Sequence, residues 1–271
     1  MITTRFAPSP TGPLHLGHAY AALFAEHRAR EAGGRFLLRI EDIDETRCRP
    51  AFTRAILADL AWLGLAFETP VRVQSAHFGD YRGVLDQLAA RGLLYPCFCT
   101  RADIARASST RTPDGAPFYP GTCRALPAET RQARLTAGVP HAFRLDMAAA
   151  LAACPGPLSY QETGLGRLPC HPARFGDVVL GRKDSPASYH LAVTHDDAWQ
   201  GITLVTRGED LRPATDLHRL LQALMGWPAP DYAHHRLITD ARGARLAKSA
   251  GSAGLRTLGL TPAEIRAQLG F

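Results

Sequence analysis

The amino-acid sequence predicts an α/β fold that is built on a parallel sheet. The chain opens with the order strand, loop, helix, strand within residues 4–40, and strand-like and helical segments return after a loop-rich stretch in its middle. A strand, a connecting helix and a second strand form a βαβ unit, in which the two strands run parallel. With 271 residues, of which 46% are hydrophobic, the chain can also bury a sizeable core.

The opening unit follows from its residue types. Residues 4–7 are short and apolar enough for a strand, whereas residues 8–13 contain three prolines and a glycine and are predicted to form a loop. The alanine-rich stretch 18–32 favours a helix, which the glycine pair 33–34 ends. The β-like run 35–40 then supplies the second strand.

The texture of the sequence changes after two more predicted helices, at residues 49–64 and 81–92. Residues 93–183 hold most of the cysteines, many prolines and several turn signals, with short helical pieces at 101–107 and 128–137. We therefore predict an inserted, loop-rich subdomain in this part of the chain.

Regular structure returns after the insertion. The runs 189–193 and 202–207 are predicted to be strands separated by a charged turn, and a helix is predicted over 213–225. Residues 261–264 contain an N-cap threonine, a proline at the first helical position and a capping-box glutamate, which predict a last helix that ends at Leu269.

These changes divide the chain into four predicted regions. They are the first half of a catalytic core at 1–92, the inserted subdomain at 93–185, the second half of the core at 186–230 and a C-terminal region at 231–271.

The charge balance of the chain is basic. The 31 lysine and arginine residues outnumber the 25 aspartate and glutamate residues, which gives a net charge of +6 and a pI near 9.2. Such a balance suits polyanionic partners but is also typical of a solvated basic surface. Only Lys183 and Lys248 among these basic residues are lysines, so each is a rare choice in a chain that otherwise uses arginine.

The amino-terminal segment lacks the apolar core of a secretion signal, and no apolar run approaches the about 18 residues of a membrane span. We therefore expect a cytoplasmic protein that does not enter a membrane. In that compartment the six cysteines are expected to be free thiols or metal ligands and not disulfides.

Two histidines flank the start of the first predicted helix, in the sequence His15-Leu16-Gly17-His18. The backbone N–H groups and the dipole at the start of a helix attract anions, which makes this loop a candidate phosphate site. Gly17 leaves room for a ligand to approach both rings. Taken alone, the pair could equally be two partly buried structural histidines.

The context of this motif resembles the first ATP-binding motif of the glutamyl-type class I aminoacyl-tRNA synthetases. The resemblance begins at residues 5–12 and 15–18. It continues, in the family's order, through residues 39–44, 189–193, 196–197 and 207–211. It implies a Rossmann-like class I catalytic core that uses ATP together with Mg²⁺. The ATP-binding residues that it implies here are Pro8, Ser9, Thr11, Gly12, His15, Gly17 and His18, of which His15 and His18 are catalytic.

The family's second ATP motif, the KMSKS loop, corresponds to residues 245–249. Arg245 stands in for the first lysine, Ala247 lacks the hydroxyl of the serine, and Lys248 matches the later lysine. A compact ammonium group suits contact with phosphate oxygens. By resemblance, Arg245 and Lys248 bind ATP and Lys248 is catalytic.

A pocket for glutamate needs guanidinium groups for carboxylates and an acid for the ammonium group. Arg5, Arg207 and Glu41 have this chemistry, although each would also suit an ordinary ion pair. The resemblance places L-glutamate against Arg5, Phe6, Ala7, Pro8, Ser9, Glu41, Tyr189 and Arg207.

The cysteines of the insertion carry a zinc signal. A C-x-C at residues 97–99 and a third thiol at Cys123 fall one short of a closed tetrahedral site, and on spacing His141 and Cys170 are candidates for the fourth ligand. The short members of the synthetase family have a C-x-C and Y-x-x-x-C pattern, which this chain resembles. The Zn²⁺ ligands implied by this resemblance are Cys97, Cys99, Tyr119 and Cys123. The tyrosine phenol would have to lose its proton to the metal.

The resemblance implies that glutamate is joined to ATP as an adenylate and is then transferred to an RNA hydroxyl. Only residues 250–271 follow the KMSKS-like loop, which predicts a core without an anticodon-binding domain. The short members of the family transfer glutamate to queuosine in the anticodon of tRNA(Asp). We therefore predict this reaction, performed by a monomer.

Three alternatives stay open at this point. One is a minimal synthetase that charges the 3′ end of tRNA(Glu). Another is a nucleotidyltransferase with the same H-x-G-H motif, which should lack a glutamate pocket. The last is a non-catalytic, zinc-dependent RNA-binding module, which would not need two phosphate motifs.

Overall fold

The computed structural model describes residues 1–239 and 254–271. The strands in these ranges are β1 (Thr3–Phe6), β2 (Arg35–Ile40), β3 (Glu68–Val73), β4 (Leu94–Cys97), β5 (Ala142–Leu145), β6 (Ser159–Glu162), β7 (Gly166–Pro169), β8 (Val179–Gly181), β9 (Leu204–Gly208) and β10 (Asp231–His235). The helices are α1 (Leu16–Glu31), α2 (Pro50–Trp62), α3 (Phe78–Ala90), α4 (Arg101–Ala107), α5 (Ala128–Thr136), α6 (Met147–Ala152), α7 (Tyr189–Trp199), α8 (Thr215–Met225) and α9 (Pro262–Leu269).

Parallel strands form the centre of the molecule, as the sequence predicts. Strand β2 pairs in parallel with both β1 and β3, and β9 pairs in parallel with β10. The two sets meet where the Thr3 amide donates to Thr203 Oγ1 at 2.9 Å and the Thr203 amide donates to the Thr3 carbonyl at 3.0 Å. Because both residues lie at strand starts, the loops after β1, β2 and β9 all leave at the opposite edge, where α/β folds bind ligands.

Two apolar clusters pack the helices against the sheets. Helices α1, α2 and α9 pack around β1 and β2 through side chains such as Leu23, Leu60 and Ile265, each 0% exposed. Helices α3, α6, α7 and α8 share a second cluster that includes Leu191 and Leu220. The first cluster thus fixes the start of α1 relative to the parallel sheet, and the second packs α7 against Leu145 of β5 and Leu180 of β8. No helix in the described ranges combines the length and the apolar character that crossing a bilayer requires.

The residues between β4 and β8 form two structures. Strands β4, β5 and β8 make a separate antiparallel sheet. The hairpin of β6 and β7 instead extends the sheet of β9 and β10, where Glu162 pairs with Tyr232. The loop-rich stretch is therefore anchored to the core through its own strands.

One predicted element is wrong. The sequence predicts a strand over residues 189–193 and a turn after it, but helix α7 runs through both and ends at Trp199. Ser188 is its N-cap, because the Leu191 amide donates to the Ser188 hydroxyl at 3.4 Å. The helix is buried from Leu191 to Asp197 except for one residue of intermediate exposure. A helix covered on several sides has no clear amphipathic period, so a short apolar run resembles a strand.

The other predicted helices are confirmed within a few residues. The one predicted at 213–225 begins at Thr215, since residues 209–214 form a 3₁₀ turn. The C-terminal capping box is present: the Glu264 amide donates to Thr261 Oγ1 at 3.3 Å, and the Thr261 amide donates to Glu264 Oε2 at 2.7 Å. These boundaries are set by contacts within one helical turn, which the sequence displays directly.

Candidate active site

The loop between β1 and α1 places two imidazoles at the start of α1. His15 is the N-cap residue, and its Nδ1 accepts a hydrogen bond from the Gly17 amide at 3.1 Å. His18 Nδ1 accepts one from the His15 amide at 3.2 Å, and the ring centroids are 3.8 Å apart. Because both Nδ1 atoms accept, the proton of each neutral ring is on Nε2. Each ring can therefore donate from Nε2 at the positive end of the helix.

Gly17 and the composition of the first turn keep this helix start open to anions. A Cβ at Gly17 would lie 3.1 Å from the ring of His15, closer than an ordinary contact. A side chain there would displace the capping ring. The first turn of α1 contains no acidic residue, so no fixed negative charge on that turn opposes an incoming phosphate.

Arg5, on β1, is held by a buried carboxylate. Its Nε and Nη2 donate to the two oxygens of Asp197 at 2.8 and 3.1 Å. Its Nη1 donates to the Thr206 carbonyl at 2.9 Å. These contacts compensate the charge of Arg5 and fix the direction of its remaining N–H groups.

A second buried guanidinium, Arg39, shares that carboxylate and is 0% exposed. Its Nη1 donates to Asp197 at 2.8 Å and its Nη2 to Glu41 at 3.1 Å. Burial raises the pKa of Glu41, and this effect outweighs the lowering by Arg39 and Arg5. For Asp197 the two arginines outweigh burial and lower the pKa. Glu41 is thus the carboxylate of this network that a further cation would stabilise most.

Arg207, on β9, is only 6% exposed, yet its contacts are with uncharged groups. Its Nε donates to His234 Nε2 at 3.1 Å and its Nη1 to His218 Nδ1 at 3.0 Å. Its Nη2 donates to Thr215 Oγ1 at 2.7 Å. Within the described residues Arg207 forms no ion pair with a carboxylate. A buried cation in this condition is unfavourable, so Arg207 is suited to an anion from outside the chain.

Tyr189 begins α7 and lies among these charges. Burial raises the pKa of its phenol, Arg207 and Arg5 act to lower it, and Glu41 acts to raise it. The Tyr189 ring lies 5.9 Å from that of His218, which accepts from Arg207, and Arg5 donates to the carbonyl of Thr206, the residue before Arg207. The structure therefore brings together four of the side chains that the sequence assigns to a glutamate pocket, although they come from three strand ends and the start of a helix.

A cavity of about 740 Å³ opens between the core and the inserted residues. Tyr189 and His190 line it from the core, and Cys99, Tyr119 and Arg144 line it from the insertion. Its volume lies within the range of small-molecule sites. Tyr189 is the residue of the candidate glutamate pocket that lines this cavity, and Cys97 and Cys99 line it from the cysteine cluster.

Three thiols and a phenol meet on the insertion side of the cavity. The Sγ atoms of Cys97, Cys99 and Cys123 all lie within 4.8 Å of one another, and those of Cys99 and Cys123 are 3.4 Å apart. Tyr119 Oη lies 3.8 Å from Cys99 Sγ. With Zn–S bonds of about 2.3 Å, the edges of a tetrahedral site measure about 3.8 Å. The arrangement therefore fits one zinc ion.

Backbone donors at this cluster favour negatively charged ligands. The Phe98 amide donates to Cys123 Sγ at 3.3 Å, and the Cys123 amide donates to Tyr119 Oη at 2.7 Å. Burial acts to raise the pKa of Cys123, but hydrogen bonds from Tyr119 and the Phe98 amide outweigh it and lower the pKa to about 7. Burial raises the pKa of Tyr119, so its phenol would lose the proton only to a bound cation.

The other candidates for a fourth metal ligand do not belong to this group of donors. His141 Nδ1 lies 3.0 Å from the Val139 carbonyl, and Cys170 packs beside the cluster of Leu37 and Tyr160. The structure thus leaves Tyr119 as the better placed of the three candidates.

Comparison with known proteins decides the family. The sequence profile described as tRNA synthetases class I (E and Q), catalytic domain, matches residues 1–256. The chain belongs to this family. The glutamyl-Q tRNA(Asp) synthetase of Rhodobacter capsulatus is 46% identical to it, with 99% of each chain covered. That of Symbiobacterium thermophilum is 42% identical, with 100% of this chain and 86% of the relative covered.

A solved structure supports the same class I catalytic fold. The glutamate tRNA ligase of Elizabethkingia meningosepticum, solved in complex with its amino acid, matches this synthetase with a TM-score of 0.77 and 30% identity. The match covers 96% of this chain and 58% of the ligase, so the chain spans less than two thirds of that ligase.

The remaining residues predicted for the synthetase site lie at the end of β1, in the β1–α1 loop or beyond the described ranges. The Pro8 carbonyl accepts from the Glu41 amide at 3.1 Å, which ties this loop to the end of β2. Phe6 packs in the apolar cluster of α1 and α2. Arg245 and Lys248 lie outside the described residues.

Sequence reasoning assigned no role to the side chains that hold the synthetase's arginines. The role of Asp197 could have been predicted from the sequence. A buried guanidinium such as that of Arg5 requires a carboxylate, and Asp197 lies in a segment that resembles the family. No sequence feature points to His218 or His234, because they lie on α8 and β10 and come together only at Arg207.

Proposed function

We propose that this synthetase joins glutamate to ATP as an adenylate and transfers the glutamyl group to queuosine in the anticodon of tRNA(Asp). The observation that carries the proposal is its similarity, over nearly the whole chain, to proteins named glutamyl-Q tRNA(Asp) synthetase. The geometry supports the first step, because Arg207 is buried and has no carboxylate partner in the described residues.

In this proposal Arg207 binds a carboxylate of L-glutamate. Glu41, whose pKa is raised by burial, takes the ammonium group, which adds a second cation to the one that Arg39 supplies. Arg5, oriented by Asp197, offers its remaining donors to a carboxylate. Phe6, Ala7, Pro8 and Ser9 complete the pocket wall.

Activation then proceeds at the start of α1. A carboxylate oxygen of glutamate attacks the α-phosphorus of ATP, a P–O bond forms, and pyrophosphate leaves. Nε2–H groups of His15 and His18 donate to the phosphoryl oxygens, where negative charge develops. Lys248 and Arg245, which belong to the KMSKS-like loop, bind the same phosphates. Mg²⁺ binds together with ATP at its phosphates.

The proposed zinc site holds the insertion together and does not take part in activation. Cys97, Cys99, Tyr119 and Cys123 would hold one Zn²⁺, which cross-links strand β4 to the segment before α5. Lys183 supports the same turn, since its Nζ donates to the Phe98 carbonyl at 2.9 Å.

Metal analysis tests this site. The purified protein is expected to contain about one zinc per chain, and Cys97→Ser is expected to lose the metal and to unfold at a lower temperature, because structural zinc contributes directly to folding. Cys154→Ser, which changes a half-buried thiol outside the cluster, should keep the metal. A zinc-free protein from zinc-replete cells with unchanged stability after Cys97→Ser would contradict the site.

Pyrophosphate exchange tests the activation step. The protein is expected to exchange labelled pyrophosphate into ATP with glutamate in the absence of RNA. Glutamine should be a much poorer substrate, because a neutral amide leaves the buried Arg207 without a charged partner, at a cost of about 1–3 kcal/mol or more. Equal rates with the two amino acids would contradict the pocket, and exchange independent of any amino acid would favour a nucleotidyltransferase.

The acceptor is tested with labelled glutamate and four RNAs. They are tRNA(Asp) with queuosine, the same RNA without its 3′ terminal nucleotide, tRNA(Asp) without queuosine, and tRNA(Glu). Label is expected on the first two and absent from the others. Label only on tRNA(Glu) with an intact 3′ end would instead support a minimal glutamyl-tRNA synthetase, the alternative that the likeness to glutamate tRNA ligases favours.

A further inference from the structure

A continuous chain of imidazoles runs from Arg207 to the wall of the 740 Å³ cavity. Arg207 Nη1 lies 3.0 Å from His218 Nδ1, and His218 Nε2 lies 3.3 Å from His190 Nδ1. His190 in turn lines the cavity. On the other side of Arg207, His234 Nδ1 lies 2.7 Å from Glu162 Oε2.

Arg207 determines the direction of the hydrogen bonds among these imidazoles. A guanidinium donates and never accepts, so His218 Nδ1 must accept. A neutral His218 then carries its proton on Nε2, and that N–H donates to His190 Nδ1. The proton of His190 is therefore on Nε2 as well.

Burial keeps these rings neutral. His218 is 2% exposed, and burial together with Arg207 lowers its pKa well below the ordinary value. Burial also lowers the pKa of His190 to about 4, with Asp114 acting to raise it and Arg207 to lower it. A second proton on His218 would face the guanidinium of Arg207 at 3.0 Å, and a second proton on His190 would face the Nε2–H of His218 at 3.3 Å. The proton order is therefore fixed at neutral pH.

We infer that His218 is a positioning residue with two separable duties: its Nδ1 orients the guanidinium of Arg207, and its Nε2–H fixes His190 as a donor toward the cavity. The inference rests on the proposed function, in which Arg207 binds a carboxylate of glutamate. A ligand group that meets His190 Nε2 must then be a hydrogen-bond acceptor, and a donor there would be rejected.

Two amide substitutions separate these duties. The amide of asparagine occupies the position of Nδ1, so His218→Asn keeps an acceptor for Arg207 and loses the donor to His190. The longer amide of glutamine occupies the position of Nε2, so His218→Gln keeps the donor to His190 and loses the acceptor for Arg207. Both variants remove the same ring, and a purely structural role would affect them alike.

Steady-state pyrophosphate exchange reports on Arg207. We expect His218→Gln to raise the KM for glutamate about tenfold with little change in the KM for ATP, and His218→Asn to raise it no more than about threefold. His27→Gln, a change of a half-exposed ring on α1, is the control. Equal KM values for the two His218 variants would overturn the first duty.

Nitrogen-15 NMR of the histidine rings reports on His190 independently of activity. The wild-type protein and His218→Gln are expected to show the Nε2–H form of His190, and His218→Asn a mixture of the two neutral forms. An Nδ1–H form in the wild-type protein would overturn the second duty. If the protein fails to activate glutamate at all, the proposed function fails while the NMR comparison still decides the hydrogen-bond order.

Discussion

Replacing Arg39 with methionine is expected to lower the free energy of unfolding by about 3–5 kcal/mol, because it leaves the buried carboxyl group of Glu41 without the cation that donates to it. Arg39 is 0% exposed and contacts Glu41 and Asp197. Asp197 would keep Arg5, whereas Glu41 would lose the cation that donates to it. Urea unfolding monitored by circular dichroism measures the change.

The same strand supplies a matched control. Arg35 is the first residue of β2 and forms a bidentate pair with Glu68. Both of these side chains are exposed, at 44% and 45%. Solvent screens such a pair, so Arg35→Met should shift the urea midpoint far less. The double variant Arg39→Met/Glu41→Gln should recover part of the lost stability, because it removes the stranded carboxylate. Similar midpoints for Arg35→Met and Arg39→Met would contradict this account.

Acidification is expected to destabilise the protein steeply between about pH 6.5 and pH 4. Burial lowers the pKa of His190 from 6.5 to about 4 and that of His234 from 6.5 to about 2, and it lowers the pKa of His218 as well. Below pH 6.5 these histidines therefore bind protons in the unfolded chain but not in the folded chain. Each such ring removes about 1.4 kcal/mol of stability per pH unit.

The sign of this effect is opposite for two buried carboxyl groups. Burial raises the pKa values of Glu41 and Glu162, so the folded chain takes up their protons first and gains relative stability as the pH falls toward their ordinary range. The histidine effect is the larger, since burial lowers the pKa of four rings, those of His190, His218, His234 and His235.

Unfolding free energies measured at several pH values test the histidine effect. His234→Gln should reduce the slope between pH 6 and pH 5 by about one bound proton, and His27→Gln, at a half-exposed ring, is the control. A wild-type stability that does not fall between pH 6.5 and pH 5 would show that the buried rings titrate normally.

The sequence predicted well where the decisive interactions are local. The β1–α1–β2 unit, the histidine pair at the start of α1 and the capping box of α9 all depend on residues within a few positions of one another. Capping hydrogen bonds and proline or glycine preferences act over this range. The resemblance to a synthetase family was also visible because its motifs are short, contiguous segments, and the family is confirmed.

The tertiary structure alone decided the features that depend on distant partners. Helix α7 could not be distinguished from a strand, since burial on several sides erased its period. Tyr119 and Cys99 are 20 residues apart in sequence, Arg207 and His234 are 27 apart, and Arg39 and Asp197 are 158 apart. A buried charge must find its partner wherever the chain folds back. The sequence by itself therefore determined the opening unit and the motifs, while packing decided which side chains hold the arginines of the site and how their protons are arranged.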